Sequence, residues 1–384
     1  MEAYLDYNST TPLDPRVFNA MKPFFEETFG NASSFHRMGQ AARHAVEEAR
    51  EKIADVLEVE PGDIIFTSGG TEADNLAVKG TVEALKDERP HLVVSSVEHQ
   101  AVLHPAQYLK KQGFNVSFVL VDAYGVVNLD YLKSAVTEGT ALVSVMHVNN
   151  EVGTIEPLKE ISKIAKEKGA FFHVDAVQSF GKLGIDLEEM GIDMLSLSAH
   201  KICGPKGVGA LYIKKGLKVK PVIHGGHQEK NIRPGTENVS AIAGFGRAAE
   251  IAAKEHEKEA ERVFRLKEKL FEGIKKSIAG FRVNGHPTRR IYNTLNVSFE
   301  GLEGESLLMN LDLKNIYTST GSACTAGSVE PSHVLIAMGL PERLARAAIR
   351  FSLGRFTTEE EIDYVLKELP PIVERLRKHS VTAK

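Results

Sequence analysis

Short apolar segments alternate along the first half of the chain with longer segments whose apolar residues recur at helical spacing. The short segments predict strands, which we place at residues 63–67, 92–97, 116–121, 141–148, 171–174 and 192–197. The longer segments predict helices at residues 42–57, 71–86, 99–112, 129–136 and 157–168. This order predicts an α/β fold with a mostly parallel sheet and helices on both faces.

The second part of the chain has a different pattern. One long helical pattern covers residues 238–278, and it is followed by a strand at 295–299, a helix at 305–311, a loop at 320–331, a strand at 348–353 and a last helix that ends near residue 378. We therefore predict a large domain at residues 15–260 and a smaller α+β domain at residues 261–384, which also contains the N-terminal segment 1–14.

Composition and charge exclude several classes of protein. The chain has 384 residues, of which 42% are hydrophobic and 26% charged, as in an ordinary soluble protein. A net charge of -4 gives no reason to expect a nucleic-acid partner. No apolar segment approaches the ~18 residues of a membrane span, and the N-terminus does not resemble a signal peptide. Two cysteines cannot build a disulfide framework, so we expect a cytoplasmic protein.

Residues that could bind a ligand follow the predicted strands, each at the point where a strand ends. Most have polar side chains, and Gly70 offers its main-chain N–H group. They are Gly70 and Thr71, His99, Asn150, Asp175 and Gln178, and Ser198, His200 and Lys201. Ligands of parallel α/β sheets bind outside the carboxyl ends of the strands. The sequence therefore predicts one binding site that contains all of these residues.

The residue types at this edge indicate a particular ligand. An amine such as that of Lys201 forms an imine with an aldehyde. We expect Gly70, Thr71, Ser198 and His200 to hold an anionic phosphate, Asp175 to pair with a cationic ring nitrogen and His99 to lie over the ring. An aldehyde, a ring nitrogen and a phosphate together describe pyridoxal 5'-phosphate (PLP).

Each of these features has an ordinary structural interpretation when it is taken alone. Lys201 could be an exposed lysine that enters a hairpin, Asp175 could cap a helix and His99 could be a buried structural histidine. Other ligands are less consistent with the sequence, because it contains no P-loop motif and its Gly244-Phe245-Gly246 segment lies inside a helical pattern. The His224-Gly225-Gly226-His227 segment is more typical of a glycine turn than of a metal site.

Two further groups carry possible chemistry. Cys324 lies in a loop of small residues, Gly321-Ser322-Ala323-Cys324-Thr325, where an exposed thiol is a candidate nucleophile. Arg350 interrupts an apolar strand, and its guanidinium group can bind a carboxylate through two hydrogen bonds. Cys203, close to Lys201, is expected to have a structural role.

At these residues the sequence resembles the NifS/IscS-type cysteine desulfurases, which are class V aminotransferase-like enzymes of PLP fold type I. The resemblance extends over nearly the whole chain. Its most specific motifs are Ser198-Ala199-His200-Lys201, Arg233-Pro234-Gly235-Thr236-Glu237-Asn238 and Gly321-Ser322-Ala323-Cys324-Thr325. Cys203 stands where many members of the family have a tyrosine.

The resemblance implies an activity and a set of partners. L-cysteine would be converted to L-alanine, with Lys201, Cys324 and His99 as catalytic residues and Arg350 with Asn150 binding the substrate carboxylate. Gln178 would belong to the cofactor site, and Thr236 would reach the cofactor phosphate of the other subunit in a homodimer. The sulfur would be held as a persulfide on Cys324 and passed to an acceptor such as an iron–sulfur scaffold protein. No stable metal site is expected, and the Cys324 persulfide would contact a cluster on the scaffold at most transiently.

Three other functions remain open from the sequence. A selenocysteine lyase or C–S lyase of the same fold would release its product without Cys324. An aminotransferase of the same class would need an oxo-acid acceptor. A sulfur-delivery platform without catalysis is a third possibility, although the presence of both Lys201 and Cys324 disfavours it.

Overall fold

The computed structural model describes residues 1–320 and 330–382. The first half contains β1 (Ala3–Tyr4), α1 (Pro15–Met21), α2 (Pro23–Glu26), α3 (Arg37–Leu57), β2 (Ile64–Thr67), α4 (Gly70–Asn75), α5 (Thr81–Ala84), β3 (His91–Ser95), α6 (Gln100–Lys111), β4 (Asn115–Val119), α7 (Leu129–Ala135), β5 (Thr140–Ser144), α8 (Leu158–Glu167) and β6 (Phe171–Asp175). The second half contains β7 (Met194–Ser198), β8 (Gly209–Ile213), α9 (Val239–Ser277), β9 (Phe281–Asn284), β10 (Thr294–Phe299), α10 (Gly304–Asp312), β11 (Ile316–Tyr317), α11 (His333–Ala337), α12 (Glu342–Arg346), β12 (Ala348–Ser352) and α13 (Glu359–Thr382).

Seven strands form the large sheet, in the order β2-β8-β7-β6-β5-β3-β4. Strands β3 to β7 are parallel to one another where they pair, and β8 runs antiparallel to both β7 and β2. The predicted mostly parallel sheet is therefore confirmed. Because β5, β6 and β7 are adjacent and parallel, the segments that follow them lie side by side.

Helices cover both faces of this sheet, as the sequence predicted. Successive side chains of a strand point to opposite faces. In β7, Leu195 and Leu197 pack in a core with α3 and α9, whereas Met194 packs in a separate core with α4 and α6. The apolar residues on the two faces of one strand therefore hold two layers of helices in place.

A smaller antiparallel sheet, β12-β10-β9, forms a second region. Its core includes side chains from the second half of α9, from α10 and from α13. The N-terminal strand β1 pairs in parallel with β11, and Leu5 is buried in the same core. The N-terminal segment thus packs with the C-terminal elements, and α9 continues unbroken through residue 260. The predicted domain division at that residue stays a prediction.

Several elements differ from the sequence prediction. The predicted helix 71–86 consists of α4 and α5 joined by a π-helical segment, Leu76–Gly80. Strand β8 was not predicted, because it follows a glycine-rich segment and begins with Gly209 and Ala210, residue types that are depleted in strands. The short elements β1, α1, α2, β9, β11, α11 and α12 were not predicted either. None of these differences changes the fold class.

The described residues contain no helix with both the length and the apolar character needed to cross a membrane.

Candidate active site

Lys201 ends a short 3-10 helix, Ala199–Lys201, that follows β7 directly. Its Nζ atom donates hydrogen bonds to the main-chain oxygens of Asn8, at 2.5 Å, and Ser9, at 2.7 Å. Two backbone segments of the chain approach each other closely at Gly209, where a Cβ atom would lie 2.7 Å from the Cα atom of Gly69. The absence of a side chain at Gly209 therefore lets the glycine turn before α4 lie next to the end of β7.

Lys201 opens into a cavity of about 310 Å³ at this edge of the sheet. The cavity is lined by ten of the twelve predicted site residues, namely Gly70, Thr71, His99, Asn150, Asp175, Gln178, Ser198, His200, Lys201 and Arg350. Eight residues that were not predicted also line it: Asn8, Ser9, Asp74, Gln100, Met146, Glu151, Val177 and His333. The predicted convergence of the strand ends is thus present in the structure.

One end of the cavity has the properties of an anion site. Gly69 has a φ of +154°, which glycine adopts readily, and it precedes the first turn of α4. A Cβ atom on Gly70 would lie 2.6 Å from Cγ2 of Val177, so a side chain would fill the space at the helix start. His200 is hydrogen-bonded through Nδ1 to the hydroxyl of Thr10, and burial lowers its pKa to about 3. Main-chain N–H groups and neutral polar side chains are therefore grouped at this end.

Asp175 provides a buried acidic group beneath the same cavity. It is 5% exposed, and its Oδ1 atom accepts a hydrogen bond from the main-chain nitrogen of Val177 at 2.9 Å. Burial raises the pKa of Asp175 above its usual value, while the positive charge of Lys201 opposes this effect. A cation placed against this carboxyl group would favour its ionised form.

His99 has both a structural and a possible chemical role. It is the N-cap of α6, where its Nδ1 atom accepts a hydrogen bond from the main-chain nitrogen of Ala101 at 3.1 Å. Burial, together with the positive charge of Lys201, lowers the pKa of His99 to about 4. His99 is therefore neutral near pH 7, with its proton on Nε2.

Arg350 is held at the opposite end of the cavity, in β12. It is 2% exposed and donates from Nη2 to Oδ1 of Asp6 at 2.8 Å and to Oγ of Ser9 at 2.7 Å. Its Nη1 atom donates to the main-chain oxygen of Asn150 at 3.0 Å. Its Nε atom is buried and has no hydrogen-bond partner among the described residues. The side chain of Arg350 is thus positioned to donate a further hydrogen bond to an anionic ligand.

Comparisons with known proteins agree with this arrangement. Residues 3–365 match the family model for class-V aminotransferases. Cysteine desulfurase IscS of Dictyoglomus turgidum is 51% identical over 98% of this chain and 95% of its own, and cysteine desulfurase IscS of Methanosarcina thermophila is 50% identical over 98% and 93%. The chain belongs to the cysteine desulfurases of the class-V aminotransferase family. A solved structure described as a NifS-like protein superimposes with a TM-score of 0.92 at 43% identity, and the match covers 98% of this chain and 100% of that one.

Cysteine desulfurases of this family depend on PLP, and the cavity fits that cofactor. The glycine turn leaves room that a Cβ atom would fill, beside the donors expected to hold a phosphate. Asp175 supplies a buried acidic group for the ring nitrogen, and Lys201 supplies an amine for the aldehyde. The predicted cofactor and the type I PLP fold are both confirmed at the level of the family.

Two further residues, Cys324 and Thr236, were predicted to belong to the site of this desulfurase. Cys324 lies outside the described residues. Thr236 is exposed on the loop before α9, and that loop is attached to its own subunit through the ion pair of Arg233 with Glu72, at 2.8 Å. The role of Thr236 in a second subunit stays a prediction.

Cys203 has the environment expected of a structural residue. It is 4% exposed, and burial raises the pKa of its thiol. It also has a φ of +60°, which is uncommon for a residue with a side chain. Among the described residues no group of histidine, cysteine and acidic side chains is arranged to bind a metal ion, and this includes the His224 and His227 segment.

Sequence reasoning missed the part of the site that the N-terminal segment provides. Asp6, Asn8 and Ser9 contact Lys201 and Arg350, from which they are separated by about 190 and 340 positions along the chain. The family resemblance extends over nearly the whole chain, but it assigned no role to these residues. Asp74 was missed because it faces the cavity from inside a predicted helix rather than from the end of a strand.

Proposed function

We propose that this chain converts L-cysteine to L-alanine and holds the released sulfur as a persulfide on Cys324. The observation that supports this most strongly is the presence of Lys201, Asp175, the glycine turn and Arg350 around one cavity. An amine, an acidic group, an anion site and a carboxylate-binding arginine are the groups that PLP chemistry on an amino acid requires.

PLP, when bound, supplies an aldehyde and an electron-withdrawing ring. Gly70, Thr71, Ser198 and His200 would hold its phosphate, and Gln178 would contact its ring. Lys201 would hold it through the aldehyde, and the lysine amine would take the proton from the Cα atom of the substrate.

Asp175 would hold the protonated ring nitrogen. Its carboxyl group is buried, so that a cationic partner within hydrogen-bond distance is strongly favoured over an isolated carboxylate. The ring nitrogen of the cofactor would be such a partner.

Arg350 and Asn150 orient the substrate by its carboxylate. The unpartnered Nε atom of Arg350 and its Nη groups form a planar set of donors. Binding of the carboxylate by these donors would orient L-cysteine with its Cα atom toward Lys201 and its sulfur toward His99.

The sulfur step requires the thiolate of Cys324. It attacks the Sγ atom of the substrate, the bond between Cβ and Sγ breaks, and Cβ gains a proton to complete alanine. One L-cysteine and one enzyme thiol thus give one alanine and one persulfide, without an external oxidant or reductant. His99, which is neutral, moves the proton at the substrate sulfur.

We further propose that the enzyme is a cytoplasmic homodimer and that an iron–sulfur scaffold protein accepts the sulfur. Support comes from the two relatives named cysteine desulfurase IscS and from the exposed position of Thr236 on its loop. In such a dimer, Thr236 of one subunit completes the phosphate site of the other.

The activity is tested with purified holoprotein in one experiment. L-cysteine is added in slight excess over enzyme, and alanine and protein-bound sulfane sulfur are measured on the same samples. We expect one protein-bound sulfur for each alanine in the first turnover. Alanine or pyruvate without protein-bound sulfur would indicate a lyase, and a requirement for an oxo acid would indicate an aminotransferase.

A further inference from the structure

The main-chain oxygens of Asn8 and Ser9 form a site for the Lys201 amine. Both accept a hydrogen bond from Nζ, at 2.5 and 2.7 Å. The oxygen of Asn8 also accepts from Nε2 of Gln178 at 2.9 Å. Lys201 and Gln178 are both expected to contact the cofactor. The carbonyl group of Asn8 therefore positions two side chains of the cofactor site.

The side chains of the same two residues point to the other end of the cavity. Nδ2 of Asn8 donates to the main-chain oxygen of Asn150 at 3.1 Å, and Oγ of Ser9 accepts from Nη2 of Arg350 at 2.7 Å. Arg350 and Asn150 also contact each other. Both groups expected to bind the substrate carboxylate are therefore held by Asn8 and Ser9.

Asn8 is itself fixed by the smaller sheet. It is 4% exposed, its main-chain nitrogen donates to Oγ of Ser352 at 3.0 Å and its Nδ2 atom donates to Oγ1 of Thr294 at 2.9 Å. Its Oδ1 atom accepts from Asn293 at 3.1 Å. All polar atoms of this buried residue are thus used, and its carbonyl group has little freedom to move.

We propose that Asn8 and Ser9 are positioning residues that couple the Lys201 amine to the pocket for the substrate carboxylate. Their carbonyl groups place the base, and their side chains place the two carboxylate-binding groups at a fixed distance from it. Transfer of the Cα proton depends on that distance. The proposal rests on the desulfurase function proposed above, but it makes a separate prediction about two single-residue variants.

The two variants should have different effects. Ser9→Ala keeps the carbonyl group that binds Lys201 and removes the contact with Arg350, so we expect weaker carboxylate binding alone. Asn8→Ala removes the side-chain contacts that fix both the carbonyl group and Asn150, so we expect weaker carboxylate binding and impaired reactivity of Lys201. Asn310→Ala, on α10, removes hydrogen bonds to Ser306 and from Arg375 at a half-buried position that does not line the cavity, and it is the matched control.

Two measurements separate these effects. Binding of L-alanine to the holoprotein, followed by absorbance, should weaken roughly tenfold in both Ser9→Ala and Asn8→Ala, which is the size expected for loss of a hydrogen bond to a charged group. The rate at which cofactor-free full-length chain takes up PLP should fall several-fold in Asn8→Ala and stay at the parental value in Ser9→Ala. Ser9→Thr, which retains a hydroxyl group, should restore L-alanine binding.

The proposal is overturned if Ser9→Ala binds L-alanine as tightly as the parent, if Asn8→Ala takes up PLP at the parental rate, or if both variants lose only thermal stability. These results do not depend on turnover of L-cysteine. A protein with the expected pattern and no desulfurase activity would contradict the proposed function and leave the coupling intact. A desulfurase without the pattern would contradict the coupling alone.

Discussion

At the scale of single residues, main-chain groups of the N-terminal segment help to position Lys201. Its amine donates to two carbonyl oxygens of that segment, and it faces Asp175 across the cavity. These hydrogen bonds place the amine where it can react with an aldehyde bound in the cavity.

Lys201→Ala should abolish turnover of L-cysteine and leave the fold intact. The side chain ends in the cavity, so its loss removes the amine for the aldehyde and for the Cα proton without removing packing in either core. Alanine formation and the far-ultraviolet circular dichroism spectrum are the two measurements. Lys214→Ala, whose side chain is 55% exposed, is the control and should retain parental activity. Turnover by Lys201→Ala at near the parental rate would show that another group is the base.

The sequence could predict the residues that follow strands and could not predict the N-terminal contacts. The former were predictable because the carboxyl ends of parallel strands meet at one edge, which places Asp175, Asn150 and Lys201 together. Asn8 and Ser9 precede the first predicted helix and lie in no periodic pattern. Their positions result from pairing of β1 with β11 and from hydrogen bonds to β10 and β12, which are long-range contacts with no local signal.

At the scale of elements, the loop before α9 combines backbone strain with a buried ion pair. Glu229, Lys230 and Asn231 have φ values of 43°, 55° and 62°, three successive residues in the left-handed region without a glycine. Each costs about 1–2 kcal/mol relative to a right-handed conformation. The carboxylate of Glu229 accepts from both Nη atoms of Arg50, at 2.9 and 2.7 Å, and from the main-chain nitrogen of Phe66 at 2.8 Å. These contacts fix the strained segment to α3 and β2.

Arg50→Met should destabilise the protein by about 3–5 kcal/mol, because it leaves the buried carboxylate of Glu229 without its cation. Urea unfolding followed by circular dichroism measures the change. The matched control is Lys52→Met, on the same helix, which removes an exposed pair with Glu48 and should cost less than about 0.5 kcal/mol. Equal stability of the two variants would mean that the ion pair does not hold the loop.

Elements were predictable from the sequence where apolar residues form a clear run or recur at helical spacing. The strand and helix order of the large sheet follows from this pattern, as in β5, α3 and α9. The pattern does not reveal β8, which begins with Gly209 and Ala210, or the π-helical segment between α4 and α5, where the change in hydrogen-bond register leaves no mark in the apolar pattern. The helix α13 was predicted despite Pro370 and Pro371, which lie inside it.

At the scale of the whole molecule, the active site depends on contacts between distant parts of the chain. The N-terminal segment packs with the C-terminal elements, and α9 contributes to the cores of both sheets. The cavity lies where these parts meet, with Lys201 on the large sheet and Arg350 on the small one. Such a site can also be completed by a second subunit, as we propose for Thr236.

The shared site predicts complementation between inactive variants. Lys201→Ala and Thr236→Ala subunits are inactive or weakly active as homodimers, but a heterodimer has one site with both Lys201 and the partner's Thr236. Mixing the two variants after reversible dissociation should therefore restore part of the alanine-forming activity. Mixing Lys201→Ala with Arg350→Ala is the control, because both residues line the cavity of one subunit. Each site of that heterodimer lacks one of the two residues, so this mixture should regain no activity. Heterodimers shown to form without any gain from the Lys201→Ala and Thr236→Ala pair would exclude a site shared in this way.

The most direct test of the account is to locate the sulfur after a single turnover. Holoprotein is mixed with a limiting amount of L-cysteine, the persulfide is trapped with an alkylating reagent, and the peptides that contain Cys203 and Cys324 are compared by mass spectrometry. The account predicts one additional sulfur on Cys324, none on the buried thiol of Cys203, and no persulfide in Cys324→Ser although that variant still binds L-cysteine. Sulfur on Cys203, or undiminished alanine release by Cys324→Ser, would contradict it.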